Sequence, residues 1–138
     1  MGPAVAKGRC MATEPCRALV VEDDSSINSL FATILRREQF DVDTATNGDL
    51  ALEKIRANGY HLMVIDLMLP RTNGRKVIEY IREHHIESLN MLIAVSADAS
   101  AIRGSYPDDI CKFLAKPFDV DEFVRHVHAC KKLCGHAG

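Results

Sequence analysis

The sequence predicts an α/β fold in which helices cover both faces of a parallel sheet. A short apolar run followed by a helical pattern recurs five times along the 138 residues, and this alternation is typical of a parallel sheet. Several of the runs are apolar almost throughout, as expected for strands that are buried on both faces. The length suits one domain with a single core, and no repeat of solenoid length is present.

The first half of the chain contains two of these units. ALVV at 18–21 is the first strand, and apolar residues then follow at the spacing of one helical face: Ile27, Leu30, Phe31, Ile34 and Leu35. Asp24, Ser25 or Ser26 is suited to cap the start of that helix. DVDTATNG at 41–48 alternates and ends in a turn signal, which predicts a more exposed strand. Residues 49–57 are predicted to be helical.

The second half contains the other three units. HLMVID at 61–66 is apolar and too short for a helix, and MLIAVS at 91–96 and CKFLAK at 111–116 are also strands. Val77, Ile78 and Ile81 mark the third helix, and the last helix begins after Asp119 with Glu122 placed as in a capping box. Between the fourth and fifth strands, Gly104 and Pro107 leave room for little more than a turn or two. The fourth helix is therefore expected to be short or irregular.

Composition and charge exclude several classes of protein. The formal net charge of −2 gives no electrostatic reason to expect nucleic acid or an anionic membrane as a partner. No apolar run reaches the ~18 residues of a membrane helix, and residues 1–15 lack the apolar region of a signal peptide. We expect a flexible extension at 1–15, a domain at 16–134 and a tail at 135–138. An odd number of cysteines, five, predicts reduced thiols in the cytoplasm.

Polar residues stand at the ends of the apolar strands. Glu22 and Asp23 follow the first strand, Asp66 ends the third, Ser96 ends the fourth and Lys116 ends the fifth. In a parallel sheet these ends lie on one edge, which is where ligands of open α/β sheets bind. Asp66 therefore need not lie inside the core and can stand at the rim of a site.

This combination of residues suggests phosphoryl transfer. Carboxylates that are brought together repel each other and raise each other's pKa, so they need a cation to stay ionised. Lys116 supplies one positive charge, and Mg²⁺, which takes carboxylate and phosphate oxygens as ligands, supplies two. One carboxylate would then act as the nucleophile and form an aspartyl phosphate, while the lysine and the metal offset charge on the phosphoryl oxygens.

Four segments together resemble the signature of the receiver domain of bacterial response regulators: VVEDD at 20–24, DLMLPRTNG at 66–74, SA at 96–97 and KPF at 116–118. The resemblance spans about residues 17–133. It implies a five-stranded flavodoxin-like sheet of order 2-1-3-4-5 in a three-layer sandwich. It also implies a phosphoacceptor with Mg²⁺ that takes its phosphoryl group from a histidine kinase or a histidine phosphotransfer protein. The partners would be that donor and a downstream protein target, without direct contact to nucleic acid or membrane.

The resemblance also assigns roles to individual residues. Asp66 would be the phosphoacceptor, and Lys116 would pair with a phosphoryl oxygen. Ser96 would be the switch hydroxyl and Phe113 the switch aromatic. The Mg²⁺ ligands would be Glu22, Asp23, Asp66 and the backbone carbonyl of Met68, with Asp23 favoured over Glu22 as the direct ligand. The Lys116–Pro117 peptide bond is usually cis in the family.

The chain departs from the family pattern in two places. The segment that should hold a full fourth helix is shorter here and contains Tyr106-Pro107-Asp108-Asp109, which puts the geometry of output in doubt. Phe113 carries no hydroxyl, so an inward position would be stabilised by burial alone. Neither departure affects the chemistry at Asp66.

Other interpretations of the same residues stay open at this point. A pseudo-receiver would keep the fold as a structural interaction domain without the chemistry. An aspartyl-phosphate phosphatase would need an acid two residues after Asp66, where this chain has Met68. A dinucleotide-binding domain is disfavoured because no G-x-G-x-x-G follows the first strand. His126, Cys130 and Cys134 share a helical face and suit Zn²⁺, although cysteine on such a face also behaves as a small hydrophobe.

Overall fold

A computed structural model of the chain describes residues 16–69, 74–84, 89–97 and 111–133, without the side chain of Cys111. The elements in these ranges are, in chain order, β1 (Arg17–Val21), α1 (Ser25–Arg37), β2 (Asp41–Ala45), α2 (Gly48–Ala57), β3 (Leu62–Asp66), α3 (Gly74–His84), β4 (Met91–Ser96), β5 (Cys111–Ala115) and α4 (Val120–Leu133).

The five strands form one parallel sheet in the order β2-β1-β3-β4-β5, which confirms the predicted order. The most apolar strands, β1, β3 and β4, occupy the centre, and β3 and β4 are buried along their whole length. β2 lies at an edge and is the most exposed of the strands whose burial is described in full, as its alternating sequence predicts.

Each face of the sheet has its own apolar core. Ala51 and Ile55 of α2 pack with Val77 and Ile81 of α3 over one face. The other face is covered by α1 and α4, through Phe31, Leu35, Phe123, Val127 and Cys130. The predicted three-layer sandwich is therefore confirmed.

Short polar side chains cap three of the helices. Asp24 accepts hydrogen bonds from the backbone N–H groups of Ser26 and Ile27 at 2.9 and 3.1 Å, so it is the cap of α1 among the three candidates. Asn47 caps α2 and accepts from the Leu50 N–H at 2.8 Å, and Asp119 accepts from the Asp121 N–H at 2.9 Å. The sequence pair Asn47-Gly48 is therefore a helix start as well as a turn.

Some predictions concern residues outside the described ranges. These are the flexible extension at 1–15, the tail at 135–138 with its neighbour Cys134, and the fourth helix between β4 and β5. The last predicted helix is therefore α4 here. The expectation of reduced thiols is wrong for Cys16, which is disulfide-bonded, because sequence spacing cannot reveal which sulfurs approach each other. Its partner is not among the described side chains, whereas Cys130 is free and buried. Within the described ranges, none of the helices has the length and apolar character required to cross a membrane.

Candidate functional site

The register of the sheet brings the predicted site residues to one edge. Val21 pairs with Ile65, and Asp66 pairs with Val95 on the next strand. Glu22 directly follows β1, Asp66 ends β3 and Ser96 ends β4. These three residues therefore lie at the carboxyl ends of adjacent strands. Parallel pairing alone produces this convergence, because every crossover returns the chain to the same end of the sheet.

Three carboxylates form a cluster at this edge. Glu22, Asp23 and Asp66 each offer an oxygen, and these atoms all lie within 4.8 Å of one another. Glu22 and Asp66 are almost fully buried, at 1% and 2% exposure, whereas Asp23 is exposed. Two buried carboxylates at this separation would be costly without a positive charge beside them.

Lys116 supplies that charge by bridging the two buried carboxylates. Its Nζ donates a hydrogen bond to Asp66 Oδ2 at 2.9 Å and lies 3.2 Å from Glu22 Oε1. Burial lowers the pKa of the ammonium, but the hydrogen bond and charge of Asp66, followed by the charge of Glu22, more than offset this and raise the pKa above its ordinary value. The backbone also fixes the lysine, since the Lys116 N–H donates to the Ser96 carbonyl at 2.9 Å. The Lys116–Pro117 bond is cis, as the resemblance implies.

The ionised form of the Glu22 carboxyl group is disfavoured at this position. Burial raises the pKa of Glu22 to about 7, with the charge of Asp66 contributing in the same direction, although the Asp24 N–H and the lysine lower it. That N–H donates to Oε2 at 3.1 Å. Oε1 lies within ion-pair range of Lys116 but outside hydrogen-bond geometry, and it is buried without a hydrogen-bond partner. This oxygen therefore has unused capacity to accept a further ligand.

The turn after β3 holds Asp66 through the backbone. The Met68 N–H donates to Asp66 Oδ1 at 2.9 Å, and the Leu67 N–H donates to the Val95 carbonyl at 2.9 Å. Gly74 approaches closely from α3: a Cβ atom at this position would lie 2.2 Å from the Asp66 carbonyl oxygen. In the sequence, Gly74 was noted only as the last residue of the DLMLPRTNG segment at 66–74, so its supporting role was missed.

The remaining predicted residues border the cluster. Ser96 is buried at 2% exposure, and it pairs with Ala115 directly before Lys116. Phe113 is partly buried and packs against the core beneath α2 and α3. The Met68 side chain is 68% exposed, so an apolar group stands where an aspartyl-phosphate phosphatase would carry its acid.

The histidines and cysteine of α4 lie away from this cluster. Cys130 is buried in the core and its Sγ donates to the His61 carbonyl at 3.7 Å, which fits the role of a small hydrophobe. His126 approaches Glu122 at 3.9 Å, and His128 approaches Glu38 at 3.1 Å. Across the described part of the chain, the acidic group at the carboxyl edge is the metal-binding candidate that stands out.

The donor set at this edge fits a hard divalent cation. All three side chains offer carboxylate oxygens, the preferred ligands of Mg²⁺, and one buried oxygen of Glu22 has no hydrogen-bond partner. One ammonium among three carboxylates leaves an excess of negative charge when all ionise, which a divalent cation would balance. The arrangement can therefore hold a cation and a phosphoryl group next to a buried nucleophilic carboxylate.

Known proteins with similar sequences were found by comparison. A family model described as the response regulator receiver domain matches residues 18–128. The transcriptional regulatory protein ResD of Bacillus subtilis is 36% identical over 119 residues, covering 85% of this chain and 48% of that protein. The response regulator ArlR of Staphylococcus saprophyticus is 32% identical over 114 residues, covering 82% of this chain and 51% of that protein. This chain thus spans about half the length of these curated relatives.

Solved structures with the same fold were also found. The receiver domain of a Francisella response regulator aligns with a TM-score of 0.74 at 28% identity, covering 85% of this chain and 97% of that one. The response regulator protein TrrA of Thermotoga maritima aligns with a TM-score of 0.73 at 28% identity, covering 83% and 98% respectively. The latter structure is a complex with Mg²⁺ and BeF, so that protein carries a metal.

Proposed function

Because this chain belongs to the response regulator receiver domain family, we propose that Asp66 accepts a phosphoryl group from a histidine kinase or a histidine phosphotransfer protein. One observation carries the proposal: the Lys116 ammonium lies 2.9 Å from Asp66 and 3.2 Å from Glu22. This bridge places a fixed positive charge beside the carboxylate that would carry the phosphoryl group. The buried position of Asp66 strengthens every charge interaction made there.

In the proposed reaction an oxygen of Asp66 attacks phosphorus on the donor. A P–O bond forms, the P–N bond to the donor imidazole breaks, and the imidazole nitrogen keeps the electron pair and is protonated as it leaves. The Met68 N–H and the Lys116 ammonium already bond to the two Asp66 oxygens, so they hold the carboxylate in one orientation. Lys116 is then close enough to pair with a phosphoryl oxygen once Asp66 is modified.

Mg²⁺ is the proposed cofactor, with Glu22, Asp23, Asp66 and the Met68 backbone carbonyl as its protein ligands. When bound, it would offset the charge of the phosphoryl oxygens. The carboxylate oxygens lie within 4.8 Å of one another, which supports this ligand set. Because the pKa of Glu22 is raised to about 7, this group would be protonated part of the time near neutral pH in the metal-free site.

We propose that Ser96 and Phe113 report the phosphorylated state. Ser96 ends β4, the strand whose Val95 pairs with Asp66, so its hydroxyl is placed to bond a phosphoryl oxygen. Phe113 is partly buried against the core, and an inward movement would bury more of its ring. The switch would be a shift in population between two surface arrangements, with burial as the driving force because the ring has no hydroxyl.

The proposed output is protein contact. Two relatives of this chain, ResD of Bacillus subtilis and SrrA of Staphylococcus aureus, are named as transcriptional regulatory proteins, and this chain spans about half of each. We propose that residues 16–134 form the receiver and act on a protein target or on an attached output segment, which would make any contact with DNA. A cytoplasmic location would follow from the proposed donor, although the disulfide at Cys16 is unusual in that compartment.

The proposal is tested by labelling with phosphoramidate, which carries the same P–N bond as phosphohistidine. With Mg²⁺ the chain should gain one phosphoryl group by intact mass, and with EDTA it should gain none. Asp66→Asn should abolish the gain. Asp41→Asn is the matched control, because Asp41 is an exposed carboxylate at the opposite end of the sheet, and it should label like the wild type.

Two results would count against the proposal. Absence of both labelling and Mg²⁺ binding in the wild type would indicate a pseudo-receiver. Repeated turnover of p-nitrophenyl phosphate, without retained label, would indicate a phosphatase.

A further inference from the structure

One buried polar side chain near the site is not used by the proposed chemistry. Asn28 lies in the first turn of α1 and is only 8% exposed, although asparagine favours surfaces. Its backbone N–H donates to the Asp24 carbonyl at 2.9 Å, so its place in the helix is ordinary. Its side chain, in contrast, points toward the carboxyl ends of β1 and β2.

The Asn28 amide joins the ends of these two strands. Its Nδ2 donates to the Glu22 carbonyl at 3.0 Å and approaches the Ala45 carbonyl at 3.4 Å. The Glu22 N–H also donates to the Ala45 carbonyl, at 3.0 Å. The amide supplies two hydrogens and two carbonyl oxygens face it, so its orientation is fixed by its surroundings.

We infer that Asn28 is a positioning residue that holds the Glu22 backbone, and through it the Glu22 carboxylate, in place for the divalent cation. This inference rests on the proposed function, since it concerns the same metal site. The metal-binding chemistry is performed by the carboxylates, and Asn28 acts only through Glu22.

The hydrogen bonds of Glu22 explain why a separate backbone anchor matters. The Glu22 carboxylate accepts from the Asp24 N–H at 3.1 Å and approaches Lys116 at 3.2 Å. A cation would compete for the same carboxylate oxygens, so its binding would weaken these two contacts. The Asn28 bond goes to the carbonyl of Glu22 instead and is independent of that competition. It therefore keeps the turn between β1 and α1 in position both with and without metal.

The test compares Mg²⁺ affinity in Asn28→Leu with that in a control of matched stability. Leucine has a similar shape and is neutral, so it removes the donors without adding charge near the cation. Ile34→Val, a small truncation on the buried face of α1, serves as the control. Titration followed by amide chemical shifts, at a pH where Glu22 is ionised, should show about tenfold weaker Mg²⁺ binding in Asn28→Leu, as for other residues that orient metal ligands. The control should bind like the wild type.

A kinetic readout separates positioning from a general loss of structure. The Mg²⁺ concentration for half-maximal labelling by phosphoramidate should rise by the same factor in Asn28→Leu, while the rate at saturating Mg²⁺ stays near that of the wild type. If Asn28→Leu does not fold, Asn28→Ser keeps a polar group that is too short to reach both carbonyls, and it should show the same direction of change.

Equal Mg²⁺ affinity in the folded Asn28 variant and the control would overturn this inference alone. Failure of the wild type to bind Mg²⁺ at all would instead overturn the proposed function. A loss of affinity that the Ile34→Val control shares would assign Asn28 a merely structural role and would also overturn the inference.

Discussion

Acidification should weaken Mg²⁺ binding because Glu22, as a proposed ligand, must lose its proton before it can bind the ion. Burial raises the pKa of Glu22 to about 7 in the metal-free chain. With that value, the ionised fraction of this side chain is ~0.9 at about pH 8 and ~0.1 at about pH 6. Apparent Mg²⁺ affinity should therefore fall by about tenfold over this range, and binding near about pH 6 should release close to one proton from this group.

The same shift has a consequence for the stability of the metal-free chain. The folded-state pKa of Glu22 lies above its ordinary value of 4.5, so the folded chain holds this proton more tightly than the unfolded chain. Its stabilising contribution is present in full below pH 4.5 and is lost as the pH rises through about 7. The loss attributable to this one group is on the order of 3 kcal/mol.

The assay is a Mg²⁺ titration, followed by calorimetry or amide chemical shifts, at several pH values across this range. Glu22→Gln is the matched control: it is close in shape and does not titrate, so its weaker Mg²⁺ affinity should change little with pH. A wild-type affinity that changes by less than about twofold between about pH 6 and about pH 8 would refute the argument that Glu22 loses a proton when it binds Mg²⁺.

Three further substitutions test individual contacts in the site and in the core. Gly74→Ala places a Cβ 2.2 Å from the Asp66 carbonyl oxygen. It should lower the free energy of unfolding, measured by urea titration, by ~1–3 kcal/mol, and it should slow labelling of Asp66. Wild-type values for both quantities would contradict the close approach of Gly74 to the Asp66 backbone. Tyr60→Phe removes a hydroxyl that donates to Asp43 at 2.6 Å; it should cost ~1–2 kcal/mol of stability and leave labelling unchanged, since Tyr60 precedes β3 whereas Asp66 is the last residue of that strand. Lys116→Met removes the positive charge beside Asp66, the proposed nucleophile, and should slow labelling by ~10²-fold, the scale of losing one such donor. A variant that labels at the wild-type rate would exclude the lysine from the mechanism.

The sheet was predictable from the sequence because its central strands are buried on both faces. The apolar runs at 62–66 and 91–96 have few polar interruptions, and β3 and β4 occupy these ranges. Boundaries were less certain where one residue serves two purposes. Asn47 signals a turn in sequence, but its side chain also caps α2, so the helix begins one residue earlier than predicted.

The convergence of Glu22, Asp66 and Lys116 was also predictable, because parallel strands end at the same edge. The supports of the site were not. In the sequence, Asn28 is indistinguishable from any other polar residue of a helix. Only tertiary packing directs its amide toward the carbonyls of Glu22 and Ala45. The need for glycine at position 74 likewise depends on how closely α3 approaches the Asp66 backbone. Neither contact can be predicted from residue type or spacing.

The central claim is tested most directly by locating the phosphoryl group within the chain. Borohydride reduces an aspartyl phosphate to homoserine, which marks the modified residue for peptide mass spectrometry. After treatment with phosphoramidate and Mg²⁺, the account predicts homoserine at position 66 and at no other aspartate. Homoserine at Asp23 or elsewhere with Asp66 intact, or a phosphoryl group held by a histidine, would contradict it.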